Sequence, residues 1–435
     1  MPVPCIHGSA VAPGGRAARE YSHANPLSPS LIHLFFFFLM SRSGIGCGTH
    51  LLIAFGLFVA ALGVIAYQNQ ETVVMMWDNV TAMNEGMDLT DELRYPEDVL
   101  DYITAHPETV SLVAYDVGAK DRGIHLGADT DRPMINLDTL PLLVAYTTAV
   151  HAGTVDPNAR VSLIELGQHT LPAVNQSAHE RMVQQWASDG QIDTDSTVAL
   201  SAVAEAVARH NDDASADWLL DKVERAATEE ATEVMGLRPT ARPMPRTGRY
   251  LGWVNTHESL NLADPEVRLA PDTMYAAAAR YVSDTTYARD VRETFQARGS
   301  NLTLRQQQRM AQATAPRASV DDAATALLHM EAASEAPIAD AYAVLDRSRG
   351  LDSLDTHLQG IASKGGAMPG VISFVGVARF EDGRPPRVVA LSMEEVPLAV
   401  FYHLLQSGLD QGLALQLLGD DAFFEETAER FRETT

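Results

Sequence analysis

Hydroxyl side chains are the groups in this chain that could act as nucleophiles, and imidazoles are the groups that could act as bases or metal ligands. A hydroxyl nucleophile needs a base within hydrogen-bonding reach. Thr139 has no basic residue three positions on, Ser215 lies on the apolar face of a predicted helix, and Ser363 lies on a predicted strand without a visible base. The histidines show no His-x-x-x-His spacing. These residues alone predict neither an activated nucleophile nor a metal site.

The segment DRPMINLDTLPLLVAYTTA, residues 131–149, must change from an extended chain into a helix. Pro133 favours an extended residue before it, and Asn136 or Asp138 is suited to cap the helix that follows. Apolar residues then recur at helical spacing through residues 140–147, which predicts a buried helix face. The polar residues at the start of this helix therefore have a fixed position against the core.

This segment resembles the serine motif of the class A β-lactamases and penicillin-binding transpeptidases, in which Pro and Met lead into Ser-x-x-Lys and then Leu-Pro-Leu-Leu. Counting back from Leu140, Asn136 occupies the serine position and Thr139 occupies the lysine position. In that family the serine attacks the substrate and the lysine removes its proton. The resemblance therefore implies a degenerate first motif.

Asn211-Asp212-Asp213 resembles the family's second motif, Ser-Asp-Asn. The resemblance implies that Asn211 replaces a proton-shuttling serine and that Asp213 replaces an asparagine that contacts substrate. In the alternative interpretation the two aspartates simply open the next helix. A weaker match is HESLN, residues 257–261, which places His257 where the family has its deacylating glutamate.

Lys364-Gly365-Gly366 resembles the third motif, Lys-Thr-Gly, whose strand orients the substrate carboxylate. Glycine still lets a ligand approach the strand backbone closely. The resemblance therefore implies that these three residues bind a ligand, although a solvated surface lysine is the alternative. The three motifs place the resemblance over residues 95–408.

Composition excludes some functions. The 57 acidic and 32 basic residues give a net charge of −25, which argues against a nucleic-acid partner because phosphate binding needs a concentrated basic face. Cys5 and Cys47 both lie before or beside the apolar run at 51–67, so no disulfide is predicted in the folded part. No cofactor is implied.

The chain is predicted to contain one folded domain behind an N-terminal membrane segment. Residues 51–67 are uncharged and mostly apolar, and Arg42 before them places the C-terminal part outside the cytoplasm. They form either an uncleaved anchor or a signal peptide. The predicted parts are a tail at 1–49 with an alternative start at Met40, the membrane segment at 50–67, a linker at 68–91, a β-lactamase-like domain at 92–408 and an acidic tail at 409–435.

Strand patterns at both ends of the domain enclose a helical middle section. Residues 111–117 and 123–127 predict an antiparallel hairpin, and residues 370–380 and 387–396 predict a second one. The fold class is therefore α/β (α+β), β-lactamase/transpeptidase-like, with an antiparallel sheet built from N- and C-terminal segments flanked by helices. Its α/β lobe comprises 92–135 and 355–408, and its inserted all-α lobe comprises 136–354.

The degenerate motifs favour an exported, non-catalytic binding protein of the cell envelope. Its ligand would be a peptidoglycan peptide, a β-lactam-like molecule or another envelope protein, and residues 51–67 would attach it to the membrane. The alternative is an active serine hydrolase or β-lactamase that uses a relocated nucleophile. If the signal is cleaved, the domain is instead secreted or periplasmic.

Overall fold

In a computed structural model of the chain, the described residues are 70–254, 268–298, 302–346 and 357–434. The helices are α1 (Gln70–Asn84), α2 (Met87–Thr90), α3 (Pro96–Ala105), α4 (Thr139–His151), α5 (Leu163–Gly167), α6 (Gln176–Ser188), α7 (Leu200–Glu205), α8 (Asp213–Val223), α9 (Arg225–Val234), α10 (Arg246–Val254), α11 (Pro271–Ser283), α12 (Thr285–Arg298), α13 (Leu304–Thr314), α14 (Val320–Glu331), α15 (Ala336–Leu345), α16 (Leu398–Ser407), α17 (Leu409–Gly419) and α18 (Asp421–Thr434). The strands are β1 (Val110–Asp116), β2 (Ile124–Leu126), β3 (Arg132–Pro133), β4 (Arg160–Ser162), β5 (Thr197–Ala199), β6 (Arg317–Ala318), β7 (Leu358–Met368), β8 (Val371–Phe380) and β9 (Arg387–Met393).

A five-stranded sheet in the order β2-β1-β9-β8-β7 connects the two ends of the domain. Every neighbouring pair in it is antiparallel, and β1 lies directly beside β9. The helical section between β2 and β7 is therefore an insertion into one sheet. The predicted fold class is confirmed.

The sheet is buried on both faces, because alternate side chains of a strand point in opposite directions. Val113 and Tyr115 of β1 pack with the helical section, including Leu143 of α4. Leu112 and Ala114 pack on the opposite face with the terminal helices. The inserted section and the helices near the two ends of the described domain thus hold opposite faces of one sheet.

Two predicted boundaries are wrong. Residues 68–91, predicted as a linker, include α1 and α2, and Ala82 of α1 is fully buried. Residues 409–435, predicted as an acidic tail, form α17 and α18. Leu413 and Leu417 recur at helical spacing and are buried in the core, so the acidic residues cover the outer side of a packed element.

Residues 195–210 are divided into β5, α7 and a π-helical turn at Ala206–His210. Helix α8 ends at Val223, because Glu224, with a φ of 66°, takes the chain out of the helix before α9 begins. Residues 51–67 and 257–261 lie outside the described residues. Among the described residues, no helix is long and apolar enough to cross a bilayer.

Candidate functional site

Two asparagine side chains meet at one backbone carbonyl. Asn136 lies between β3 and α4, and Asn211 lies between the π-helical turn and α8. Their Nδ2 groups donate to the carbonyl oxygen of Gly365 at 3.3 Å and 3.0 Å. The backbone of each asparagine is left-handed, with φ of 64° and 53°, a conformation in which Asn is enriched. The first two motifs therefore meet at one carbonyl of β7.

Lys364 lies next to this carbonyl, but its amine is directed into the helical section. The side chain is 3% exposed, and Nζ donates to the carbonyl oxygens of Val207 and Ala208 at 2.6 Å and 3.0 Å. These carbonyls belong to the π-helical turn that ends just before Asn211, where a cation is favourable. The lysine therefore fixes the position of the turn that carries Asn211.

The two glycines of the third motif are required by close packing. A Cβ atom on Gly366 would lie 2.5 Å from Nδ2 of Asn136, and one on Gly365 would lie 2.7 Å from the carbonyl oxygen of Ser373. Real Cβ atoms do not approach other atoms this closely, so larger residues would displace their neighbours. Glycine at 366 in particular keeps the space next to Asn136 open.

A cavity of about 230 Å³ opens beside the asparagines. It is lined by Ile135, Asn136, Asn211, Asp213, Arg246, Arg249, Tyr250, Met310, Thr314, Gly366, Ala367 and Met368. A second cavity of about 350 Å³ includes Lys364, Gly365 and Gly366 in its lining. A third, of about 650 Å³, lies between α8 and α11 and contains none of the motif residues. The first cavity is therefore the one that joins the first and second motifs.

The predicted capping of α4 by Asn136 or Asp138 is wrong. Neither side chain accepts a hydrogen bond from the first turn, because the Asn136 amide contacts Gly365 and the Asp138 carboxylate contacts two arginines. Asp138 is fully buried and lies 3.0 Å from a guanidinium nitrogen of Arg246 and 2.6 Å from one of Arg249. A carboxylate buried so completely needs such partners.

Thr139, at the position of the family's lysine, is 1% exposed at the start of α4. Its backbone N–H donates to the carbonyl oxygen of Asn136 at 3.1 Å. Thr139 does not line the cavity beside the asparagines. The position that would supply a base in the family is therefore packed away from the cavity.

Asp213 lines the cavity, and 31% of its side chain is exposed there. Burial of the carboxyl group raises its pKa to about 7, and repulsion from Asp217 and Asp212 acts in the same direction. The positive charges of Arg246 and Arg249 oppose that shift. Asp213 therefore changes charge near neutral pH, and the cavity becomes more negative as the pH rises.

Asp212 opens α8, as one interpretation of the sequence predicts. Its carboxylate accepts hydrogen bonds from the backbone N–H of Ser215 at 3.1 Å and from the Ser215 hydroxyl at 2.5 Å. Nδ1 of His179 lies 2.9 Å from the same carboxylate oxygen. Ser215 is completely buried, so this network has no access to a ligand.

Sequence reasoning missed Arg246, Arg249 and Tyr250, all on α10. The signal was present, because two arginines three positions apart lie on the same face of a helix. Asp217 fixes the start of that helix by accepting from the backbone N–H groups of Arg246 and Thr247 at 2.6 Å and 2.8 Å. Helix α10 thus directs both guanidinium groups towards the start of α4.

No protein-family profile matches the chain, and no curated protein matches it. Among solved structures, a β-lactamase from Sphaerobacter thermophilus is 18% identical with a TM-score of 0.42, covering 73% of this chain and 95% of that chain. A β-lactamase from Chitinophaga pinensis is 12% identical with a TM-score of 0.43, covering 78% and 99%. A PBP-A variant, determined as an acyl-enzyme complex with penicillin G, is 14% identical with a TM-score of 0.42, covering 73% and 94%. The chain is similar to these structures in the general arrangement of its strands and helices.

Proposed function

We propose that the chain is a non-catalytic binding protein of the cell envelope, and that the cavity beside Asn136 and Asn211 receives the end of an extended peptide. One observation carries this proposal. The two motif positions that would supply a nucleophilic and a proton-shuttling hydroxyl hold amides instead, and both amides donate to the Gly365 carbonyl. An amide is neither acidic nor nucleophilic near neutral pH, so it cannot form an acyl intermediate.

The other groups that line this cavity also lack an activated nucleophile. Its described lining contains no serine, cysteine, lysine or histidine. The Thr314 hydroxyl donates to the carbonyl oxygen of Met310 at 2.8 Å. Burial raises the pKa of Tyr250 to about 12, so its phenol stays protonated at neutral pH. These features support reversible binding over covalent catalysis.

The sheet edge supports a peptide ligand. Strand β7 is the last strand of the sheet, and Gly366 on it lines the cavity without a side chain. An extended peptide can pair with such an edge through its backbone. The guanidinium groups of Arg246 and Arg249 supply positive charge for a terminal carboxylate. A peptidoglycan peptide has this chemistry.

The same proposal includes export and attachment to a membrane. Residues 51–67 supply 17 uncharged, mostly apolar residues, and Arg42 precedes them. This charge distribution favours a domain outside the cytoplasm. Protease added to intact spheroplasts should digest the C-terminal domain, and complete protection would contradict the orientation.

Two measurements test the function. Intact-protein mass should not change after incubation with excess penicillin or a fluorophosphonate, whereas a stoichiometric mass increase would establish the alternative of a hydrolase with a relocated nucleophile. An N-acetylated peptide ending in D-Ala-D-Ala should bind reversibly in calorimetry. Absence of binding would contradict the peptide proposal.

A pair of glycine variants shows whether such binding uses this cavity. Gly366→Val fills the space next to Asn136 and should abolish binding, because a Cβ atom there already lies 2.5 Å from the Asn136 amide. Gly167→Ala is the matched control, because a Cβ atom at that position has nothing within 4 Å. Equal affinities of the two variants would place the peptide elsewhere.

A further inference from the structure

Helix α1 packs on the domain through its polar side. The Asp78 carboxylate lies 3.3 Å from Nε of Arg305 on α13, and Oδ1 of Asn79 accepts from the backbone N–H of Leu304 at 2.8 Å. Glu85, just after the helix, lies 2.6 Å from the same arginine. Ala82, on this side of the helix, is fully buried. The inward side of α1 is therefore held largely by charges and hydrogen bonds.

The outward side of α1 is apolar. Its large exposed side chains are Val73 at 44%, Val74 at 66%, Met76 at 62%, Trp77 at 75% and Val80 at 54%. At 100° per residue these five positions fall within an arc of roughly 160°, opposite the positions that contact the domain. We call these five residues the α1 stripe. A helix on a water-exposed surface normally turns its apolar side towards the protein and its polar side towards water. An exposed apolar stripe of this kind therefore marks an interaction surface.

The position of the stripe in the chain indicates what covers it. The apolar run at 51–67 ends two residues before α1 begins at Gln70. If that run is in a membrane, Trp77 is ten residues from its end and is confined to within roughly 35 Å of it by chain length. Tryptophan is also the side chain most typical of the interface between a bilayer and water.

We propose that the α1 stripe lies in the interfacial layer of the bilayer to which residues 51–67 attach the chain, an inference that rests on the attachment proposed above. With a net charge of −25 the protein is repelled by anionic lipid, so apolar area and not charge holds the helix there. A second copy of the chain fits less well. The stripe offers roughly 500 Å² per copy, so a dimer formed through it alone would bury less than the 1,200–2,000 Å² of a stable interface.

Contact between the α1 stripe and the bilayer would fix the orientation of the domain relative to the membrane. A chain attached only through a flexible linker would rotate freely above the membrane, whereas a second contact through α1 fixes which side of the domain faces the lipid. The cavity beside Asn136 then has one defined orientation relative to the membrane. A peptide ligand would be received from a fixed direction.

The test uses the full chain reconstituted into phosphatidylcholine vesicles with brominated acyl chains, which quench nearby tryptophans. Subtracting the emission of the Trp77→Phe variant isolates the contribution of Trp77, because the three other tryptophans, Trp186, Trp218 and Trp253, emit in both proteins. We expect roughly half of the Trp77 emission to be lost, since interfacial helices lie about 5–10 Å into the headgroup region. The Met76→Glu/Val80→Glu variant changes only exposed positions and should abolish this quenching while the chain still floats with the vesicles.

Flotation separates the two proposals. A full chain that does not float with vesicles overturns the attachment and the stripe contact together. A chain that floats but shows no Trp77 quenching overturns the stripe contact alone. Shielding of Trp77 from iodide that depends on protein concentration and not on lipid would instead assign the stripe to a second copy, and would likewise overturn the proposal.

Discussion

Replacing Asp138 by asparagine removes the negative charge from a buried ionic cluster beside the site. Asp138 is 0% exposed, and the side chains of its partners Arg246 and Arg249 are 6% and 10% exposed. Asparagine keeps the size of the side chain but leaves both guanidinium groups buried without their shared counter-charge. Breaking a buried ion pair from one side costs about 3–5 kcal/mol. That is a large part of the roughly 5–15 kcal/mol by which a folded domain is stable.

Urea unfolding followed by circular dichroism measures this loss. The midpoint should fall while the slope stays unchanged, because the same surface is exposed on unfolding. Asp101→Asn is the control, since Asp101 is 65% exposed in its 2.6 Å pair with Arg430 and should lose no more than about 1 kcal/mol. Replacing Asp138 by Leu together with both arginines by Met should recover most of the stability. If Asp138→Asn stays within roughly 0.5 kcal/mol of the wild type, the argument from burial is wrong.

Three further predictions concern the same region. The pKa of Asp213 rises from 3.8 to about 7 on folding, so the folded state binds more protons between these values and the free energy of unfolding should fall as the pH rises through that window. Asp213→Asn should remove this part of the pH dependence, and urea midpoints from pH 4 to 8 that change equally in both proteins would contradict it. Lys364→Met removes the amine that donates to the carbonyls of Val207 and Ala208, and should lower the free energy of unfolding in urea by about 1–3 kcal/mol. An unchanged midpoint would show that other donors replace the amine. Gly248→Ala places a Cβ atom 2.2 Å from the Met274 carbonyl oxygen and should lower the free energy of unfolding by about 1–3 kcal/mol in the same assay. Gly167→Ala is the control, because a Cβ atom there has nothing within 4 Å, and it should leave the midpoint unchanged. Equal midpoints of the two variants would refute the close approach of α10 and α11.

The sheet and the long helices could be predicted because their periodicity is local. The strand predicted at 111–117 is β1 (Val110–Asp116), whose residues alternate between two buried faces, and the apolar spacing after residue 139 forms α4. The resemblance to three spaced motifs singled out Asn136, Asn211 and Gly365, and the structure brings the two asparagines to the carbonyl of that glycine. Such features depend on neighbours in sequence or on the order of motifs.

The errors arise where the environment of a side chain depends on distant residues. Asp138 lies at a position in the sequence that is typical of a helix cap. Its actual partners, Arg246 and Arg249, are 108 and 111 residues away, and no residue near Asp138 in sequence indicates them. Helix α1 was not predicted because its polar side faces the protein. A packed helix is predicted from the opposite pattern, in which the apolar side faces the protein. The acidic tail was predicted from charge, although Leu413 and Phe424 lie in the core.

The left-handed backbone at Asn136 and Asn211 has a consequence for how this protein can change by mutation. An asparagine codon becomes a serine codon through one base change, so a hydroxyl at either position is a short genetic step away. That step is costly in structure, because serine is less suited to φ of 64° or 53° and loses the hydrogen bond to Gly365. It also brings no base, since Thr139 carries no amine. Every path to a nucleophile at these positions therefore begins with a less stable protein that still lacks a base at Thr139, which disfavours that change.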